Sequence, residues 1–205
     1  MIQCDISPRN LLVNEDEESP SWRAFLIDLD LAIRVERDGF SGARGKTGTR
    51  PFMAIGVLYG EKHSFMHDLE SFFWVLFWIC IHYDGPGKGR VVEHFEEWNY
   101  VNTKTLADEK KGVVSDEGGF LRTAEENFTP YYQPLAPWVN RLRRIVFPDG
   151  LCSGVDFELQ DLPPASLLGH ACFLVCRSRW WRPTAAVNDE ADLQYSGDDE
   201  IVTVP

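Results

Sequence analysis

The sequence is poor in basic residues: 20 Lys and Arg stand against 32 Asp and Glu, giving its 205 residues a net charge of -12. This deficit argues against a nucleic-acid partner and against a polybasic contact with membranes. Cysteine is scarce: the chain has five, an odd number, and their spacing is not that of a disulfide framework. They are Cys4, Cys80, Cys152, Cys172 and Cys176. A disulfide scaffold is therefore excluded, and reduced thiols in an intracellular protein are expected.

Long apolar runs are also absent. The most apolar stretch, residues 72–81, is too short to span a bilayer and is predicted to be a buried helix. Residues 1–5 have neither the basic nor the apolar region of a signal peptide. We therefore expect a cytoplasmic or nuclear protein with no membrane partner.

Apolar residues make up 44% of the chain, enough to bury a core. Ser64 is predicted to cap a helix that begins near Phe65 and continues through Ile81. This helix is apolar on every side after its first turns, so other elements must surround it. Four more helical segments are predicted, at residues 91–98, 102–117, 120–128 and 137–147. We expect one mainly α domain over residues 1–150, followed by an irregular, acidic and disordered tail over 151–205.

Three polar residues near the start of the sequence could bind a metal or take part in phosphoryl transfer. Asn10 precedes an apolar run at 11–13 and Asp28 follows another at 24–27, with a polar stretch between the runs. If the runs pair as antiparallel strands, Asn10 faces Asp28, and an amide oxygen beside a carboxylate suits Mg²⁺. For either residue alone, a polar position beside a strand is the favoured explanation. Asp5 adds a carboxylate that could serve an attacking hydroxyl in phosphoryl transfer.

Four motifs, in this order, resemble the fungal-type protein kinase family: CDISPRN at 4–10, LIDLDLA at 26–32, GTRPFMA at 48–54 and HDLESFFW at 67–74. The resemblance covers roughly residues 2–148. It implies a protein-kinase-like C-terminal lobe, mainly α, with a short β-hairpin near the catalytic loop. It also implies a transferase that moves the γ-phosphate of ATP to a protein hydroxyl, with ATP and Mg²⁺ as cofactors and a protein as substrate.

The resemblance assigns roles residue by residue. Asp5 takes the position of the catalytic base, and Arg9 could lend positive charge to the transferring phosphoryl group. Asn10 and Asp28 take the positions that bind the metal and, through it, the ATP phosphates. Asp68 resembles a structural carboxylate that accepts backbone N–H groups of the catalytic loop.

The departures from the kinase pattern are equally specific. Gln3 and Cys4 replace the usual His and Arg before the catalytic Asp, which predicts weaker packing of the loop. Gly56 replaces a carboxylate that clamps the end of the activation segment, which predicts a looser segment. No glycine-rich strand pair and no strand-borne Lys precedes Asp5, and the glycine cluster at 85–89 follows a helix instead of opening one. We expect this chain alone to lack the ATP-binding N-lobe, to bind metal weakly and to be inactive.

Two alternatives to a protein kinase remain open. A non-catalytic kinase remnant could act as a binding module, since several kinase positions are lost. A small-molecule phosphotransferase could share the arrangement of Asp5, Asn10 and Asp28, although residues 48–54 resemble a peptide-docking shelf and favour protein substrates. In every case, an exposed apolar face is expected at the hairpin.

Overall fold

The computed structural model of the chain describes residues 1–14, 18, 21–22, 24–34, 48–85 and 87–148. Over these residues the fold is mainly helical with a two-stranded antiparallel sheet, as the sequence predicts. The predicted tail at 151–205 and three of the cysteines lie outside the described residues.

The predicted hairpin is present. Strand β1 (Leu11–Val13) pairs with β2 (Ala24–Leu26), with Leu11 opposite Leu26. The carbonyl of Asn10 accepts a hydrogen bond from the backbone N–H of Ile27 at 3.0 Å, so the contact extends one residue towards Asp28. All three β2 side chains are exposed, which confirms the expected apolar face.

Helix α2 (Phe65–His82) is the centre of the core, also as predicted. Ser64 is its N-cap, and the Ser64 backbone N–H donates to Nδ1 of His67 at 3.0 Å. Side chains on all sides of α2 are buried because the helix has no continuous polar face, and Phe73, Phe77 and Ile81 are 0% exposed. Among the described residues, no helix is both long and apolar enough to cross a membrane.

Shorter helices surround α2: α1 (Ile55–Tyr59), α3 (Glu93–Glu96), α4 (Thr103–Val114), α5 (Glu117–Asn127) and α6 (Ala136–Val146). Three of the predicted segments correspond to α4, α5 and α6 within a few residues. The segment predicted at 91–98 is instead divided into α3 and a 3-10 turn, Glu97–Asn99, while α1 was not predicted. Asn102 and Asp116 cap α4 and α5 with their side-chain oxygens, which explains where these polar helices begin.

Aromatic side chains join the helices to α2. The ring of Phe77 lies 5.5 Å from that of Phe95 and 6.1 Å from that of Phe120, and Trp74 lies 5.5 Å from Trp98, all centroid to centroid. Helix α6 packs directly on α2, and α4 packs on α1. This core holds the N-terminal end of α2 in place, and the loop that carries Asp5 is attached to that end.

Candidate active site

A carboxylate at the start of α2 fixes the loop that precedes Asp5. Oδ2 of Asp68 accepts the backbone N–H of Gln3 at 2.7 Å, and Oδ1 accepts that of Cys4 at 3.1 Å. Asp68 is buried in the first turn of α2, where a negative charge is also favoured by the helix dipole. The contact holds Cys4 at φ 67°, a left-handed conformation that is uncommon for a residue with a side chain. This is the arrangement that the resemblance implied for Asp68.

Gln3 occupies the position that the kinase pattern gives to a His. Its side-chain Nε2 donates to the carbonyls of Ile27 and Asp28 at 3.2 and 3.0 Å, and its Oε1 accepts the backbone N–H of Asp5 at 2.7 Å. Gln3 is 3% exposed. One amide group thus joins the loop of Asp5 to that of Asp28, and packing weaker than with a His stays a prediction.

The carboxylate of Asp5 is oriented by two residues. Oδ1 accepts both the backbone N–H of Thr49 at 2.7 Å and its hydroxyl at 2.9 Å, and Oδ2 accepts Nδ2 of Asn10 at 3.2 Å. Nδ2 of Asn10 also donates to the Asp5 carbonyl at 2.8 Å. The structure thus brings Asp5 and Asn10 together and adds Thr49, from the motif at residues 48–54.

Asn10 and Asp28 offer oxygen atoms of the type that Mg²⁺ prefers. Because Nδ2 of Asn10 makes the contacts to Asp5, the other arm of the amide, Oδ1, is the atom suited to a cation. Asp28 is exposed, at φ 56°, one residue beyond the Asn10–Ile27 contact. Two protein oxygens fit Mg²⁺, which usually completes its shell with water and phosphate. Over the described parts of the chain, no group of three or more His, Cys, Asp or Glu is placed to hold a metal.

Arg9 lies in the short 3-10 turn Pro8–Asn10 and is exposed. Burial raises the pKa of Tyr83 to about 12, and the positive charge of Arg9 partly opposes that rise. The structure therefore places the charge of Arg9 within electrostatic reach of Tyr83. Its assignment to a phosphoryl group stays a prediction.

Residues 53–55, at the end of the activation segment, are held by groups other than a carboxylate at position 56. The carbonyl of Met53 accepts Nζ of Lys110 at 2.6 Å, and the N–H of Ile55 donates to Oε1 of Glu70 at 2.7 Å. A Cβ on Gly56 would lie 2.4 Å from the carboxylate of Glu61 and 2.7 Å from Nε2 of His67, so a larger residue requires these side chains to move. These contacts hold Met53 and Ile55 without a carboxylate at position 56, and the looser activation segment stays a prediction.

Comparison with known families gives one result that bears on this geometry. Residues 1–80 match the model of the fungal protein kinase family. The match confirms the resemblance to fungal-type protein kinases, and it includes every residue to which the motifs assigned a role. No curated protein and no solved structure matches the chain. Helices α3 to α6, which complete the core, lie beyond the kinase match.

Four structurally important residues were missed or undervalued by sequence reasoning. Gln3 and Glu70 each carry a signal, since both are polar within apolar surroundings next to recognised motifs. Thr49 lies in the motif at 48–54, for which the sequence predicted only a peptide-docking role. Lys110 has no comparable signal, because it lies on a helix with several other Lys and acidic residues, and its burial is decided by how α4 packs.

Proposed function

We propose that this chain supplies the catalytic lobe of a protein kinase, which transfers the γ-phosphate of ATP to a hydroxyl of a protein substrate. The observation that carries the proposal is the hydrogen-bond network in which Asp5 contacts both Asn10 and Thr49, beside the backbone of Asp28. A kinase requires this proximity, because its base and its metal ligands act on the same phosphoryl group.

In this proposal, Asp5 orients the substrate hydroxyl and accepts its proton. Oδ1 of Asn10 and the carboxylate of Asp28 hold Mg²⁺, which supplies charge neutralisation for the ATP phosphates when it is bound. Arg9 adds positive charge at the edge of the site. Residues 48–54 receive the substrate peptide, which favours proteins over small molecules as acceptors.

The test measures the transfer of labelled phosphate from ATP, in the presence of Mg²⁺, to a generic acceptor such as myelin basic protein or casein. A longer protein that adds a glycine-rich strand pair and its Lys before residue 1 should be active, and the 205-residue chain alone should not. Asp5→Asn and Asp28→Ala should each lower transfer by about 100-fold or more. Glu125→Gln, which neutralises an exposed carboxylate on α5, is the control and should leave transfer unchanged. Equal activity in all variants would refute the assigned roles.

One observation favours a second function, a binding module without catalysis. The hairpin exposes apolar side chains next to the site: Leu12 is 47%, Phe25 37% and Leu26 38% exposed. Such a surface suits either a nucleotide-binding lobe or a protein partner. Thermal stabilisation by MgATP would count against the binding-module function, whereas the absence of both stabilisation and transfer in the longer protein would favour it.

A further inference from the structure

Residues 48–55, which we call the docking segment, are fixed to the catalytic loop at their first end. Thr49 donates two hydrogen bonds to Oδ1 of Asp5. Gly48 has φ 118°, and a Cβ there would lie 2.9 Å from the carbonyl oxygen of Cys4. The close approach allows no side chain at this position, so the segment begins in direct contact with the loop that carries Asp5.

The other end of the docking segment rests on two buried charged residues from different helices. Lys110 of α4 donates to the carbonyl of Met53, and Glu70 of α2 accepts the N–H of Ile55. Lys110 is 0% and Glu70 1% exposed. The N–H of Ile55 and the carbonyl of Met53 are therefore hydrogen-bonded to buried side chains, at positions that water does not reach.

Each of these buried charges depends on its surroundings. Nζ of Lys110 lies 4.6 Å from the ring centroid of Trp74 and 5.5 Å from that of Trp98, within the range of cation–π attraction. Oε1 of Glu70 also accepts the indole N–H of Trp74 at 2.9 Å. Burial lowers the pKa of Lys110 to about 7, and the charge of Glu70 opposes that change. The two charges therefore interact electrostatically, and removal of one leaves the other buried with less compensation.

The docking segment is short and tightly bonded, so a shift of its end at Ile55 should also shift its end at Thr49. Its middle is the 3-10 turn Arg50–Phe52, in which the N–H of Phe52 donates to the carbonyl of Thr49 at 2.9 Å. The N–H of Met53 donates to the carbonyl of Arg50 at 3.2 Å. Phe52 and Met53 are both buried, which restricts lateral movement.

We propose that Glu70 and Lys110 are positioning residues, which fix the docking segment and thereby hold Thr49 against Asp5. They do so where the kinase pattern has a clamping carboxylate and this chain has Gly56. Lys110 lies outside the matched residues 1–80, so α4 contributes directly to the geometry of the site. What the segment docks depends on the proposed function, whereas its attachment does not.

The test is amide hydrogen exchange of the 205-residue chain, which needs no nucleotide and no activity. In the unmodified protein, the Ile55 amide should be protected nearly as well as that of Phe77 in α2. Glu70→Met/Lys110→Met removes both charges and keeps similar volume, a replacement that folded proteins often tolerate. It should speed exchange at Ile55 and Thr49 by about tenfold relative to Phe77, the scale expected for one lost hydrogen bond of this type.

Two further variants separate positioning from general destabilisation. Lys111→Met, at an exposed Lys on the same helix, should change nothing. Glu70→Gln keeps an acceptor for the Ile55 N–H and should leave Ile55 more protected than Glu70→Met does. If the double variant does not fold, these single variants and the unmodified chain decide the question.

Uniform acceleration at Thr49, Ile55 and Phe77, or an unprotected Ile55 in the unmodified protein, would overturn the proposal. Failure of the transfer assay with intact local protection would instead refute only the proposed function.

Discussion

Asp68 offers the sharpest test of how the site is assembled. Its carboxylate accepts the N–H groups of Gln3 and Cys4, 65 and 64 residues away in sequence. Asp68→Asn keeps one acceptor oxygen but turns an NH₂ group towards the other backbone donor. Hydrogen bonds to charged groups contribute about 1.5–3 kcal/mol each, and a buried donor without a partner costs about 1–3 kcal/mol. We therefore expect a loss of about 2–4 kcal/mol in the free energy of unfolding.

The measurement is urea unfolding followed by tryptophan fluorescence, since Trp74 and Trp98 are buried in the core. A loss of this size corresponds to a fall of roughly 5–15 °C in the melting temperature of a domain this large. Asp30→Asn, an exposed carboxylate near the same loop, is the matched control and should change stability by less than about 0.5 kcal/mol. If Asp68→Asn is no worse than this control, the carboxylate does not hold the loop, and the assembly of the site as described is refuted.

Three further predictions concern pH, packing and the candidate base. Burial lowers the pKa of His82 to about 4, below its unfolded value near 6.5, so the unfolded chain binds the proton preferentially between these values. His82 should therefore reduce the free energy of unfolding by up to about 3 kcal/mol as the pH drops through this window. His82→Phe should make the fall measured from about pH 7 to 4 smaller, and His63, whose pKa burial also lowers, should keep a part of it. Gly56→Ala should displace the Glu61 carboxylate and cost about 1–2 kcal/mol by thermal unfolding, and an unchanged melting temperature would contradict the close contact. In the longer protein of the transfer assay, Thr49→Val removes the hydroxyl contact to Asp5 and should lower phosphate transfer about tenfold, whereas Thr49→Ser should keep it. Equal transfer by both variants would speak against this contact.

The parts of the fold that depend on local pattern were predictable. Helix α2 is recognisable because the apolar stretch at residues 72–81 follows a helix start at Ser64 and is too short to span a bilayer, which favours a buried helix. The hairpin follows from two apolar runs with a polar stretch between them, and its register brings Asn10 close to Asp28. The family resemblance rests on motifs of the same local kind.

Two departures from the kinase pattern are accompanied by contacts that the motifs do not contain. The replacement of a His by Gln3 and of a carboxylate by Gly56 predicted a weaker site, because each change was judged against the residue it replaced. In the folded protein, the amide of Gln3 binds three backbone groups. The segment before Gly56 is instead held by Lys110, which is distant in sequence. Compensation of this type depends on contacts that a motif does not contain.

The sequence by itself determined the chemistry available here: the carboxylates of Asp5 and Asp28, the amide of Asn10 and the order of motifs that relates residues 1–80 to fungal protein kinases. Only the tertiary structure decided how these groups are held. Asp68 and Lys110 bind backbone groups 65 and 57 residues away, and Thr49 binds the carboxylate of Asp5 from 44 residues away. Residue type and local periodicity specify helices and strands, whereas hydrogen bonds between distant segments form only after the core around α2 has packed.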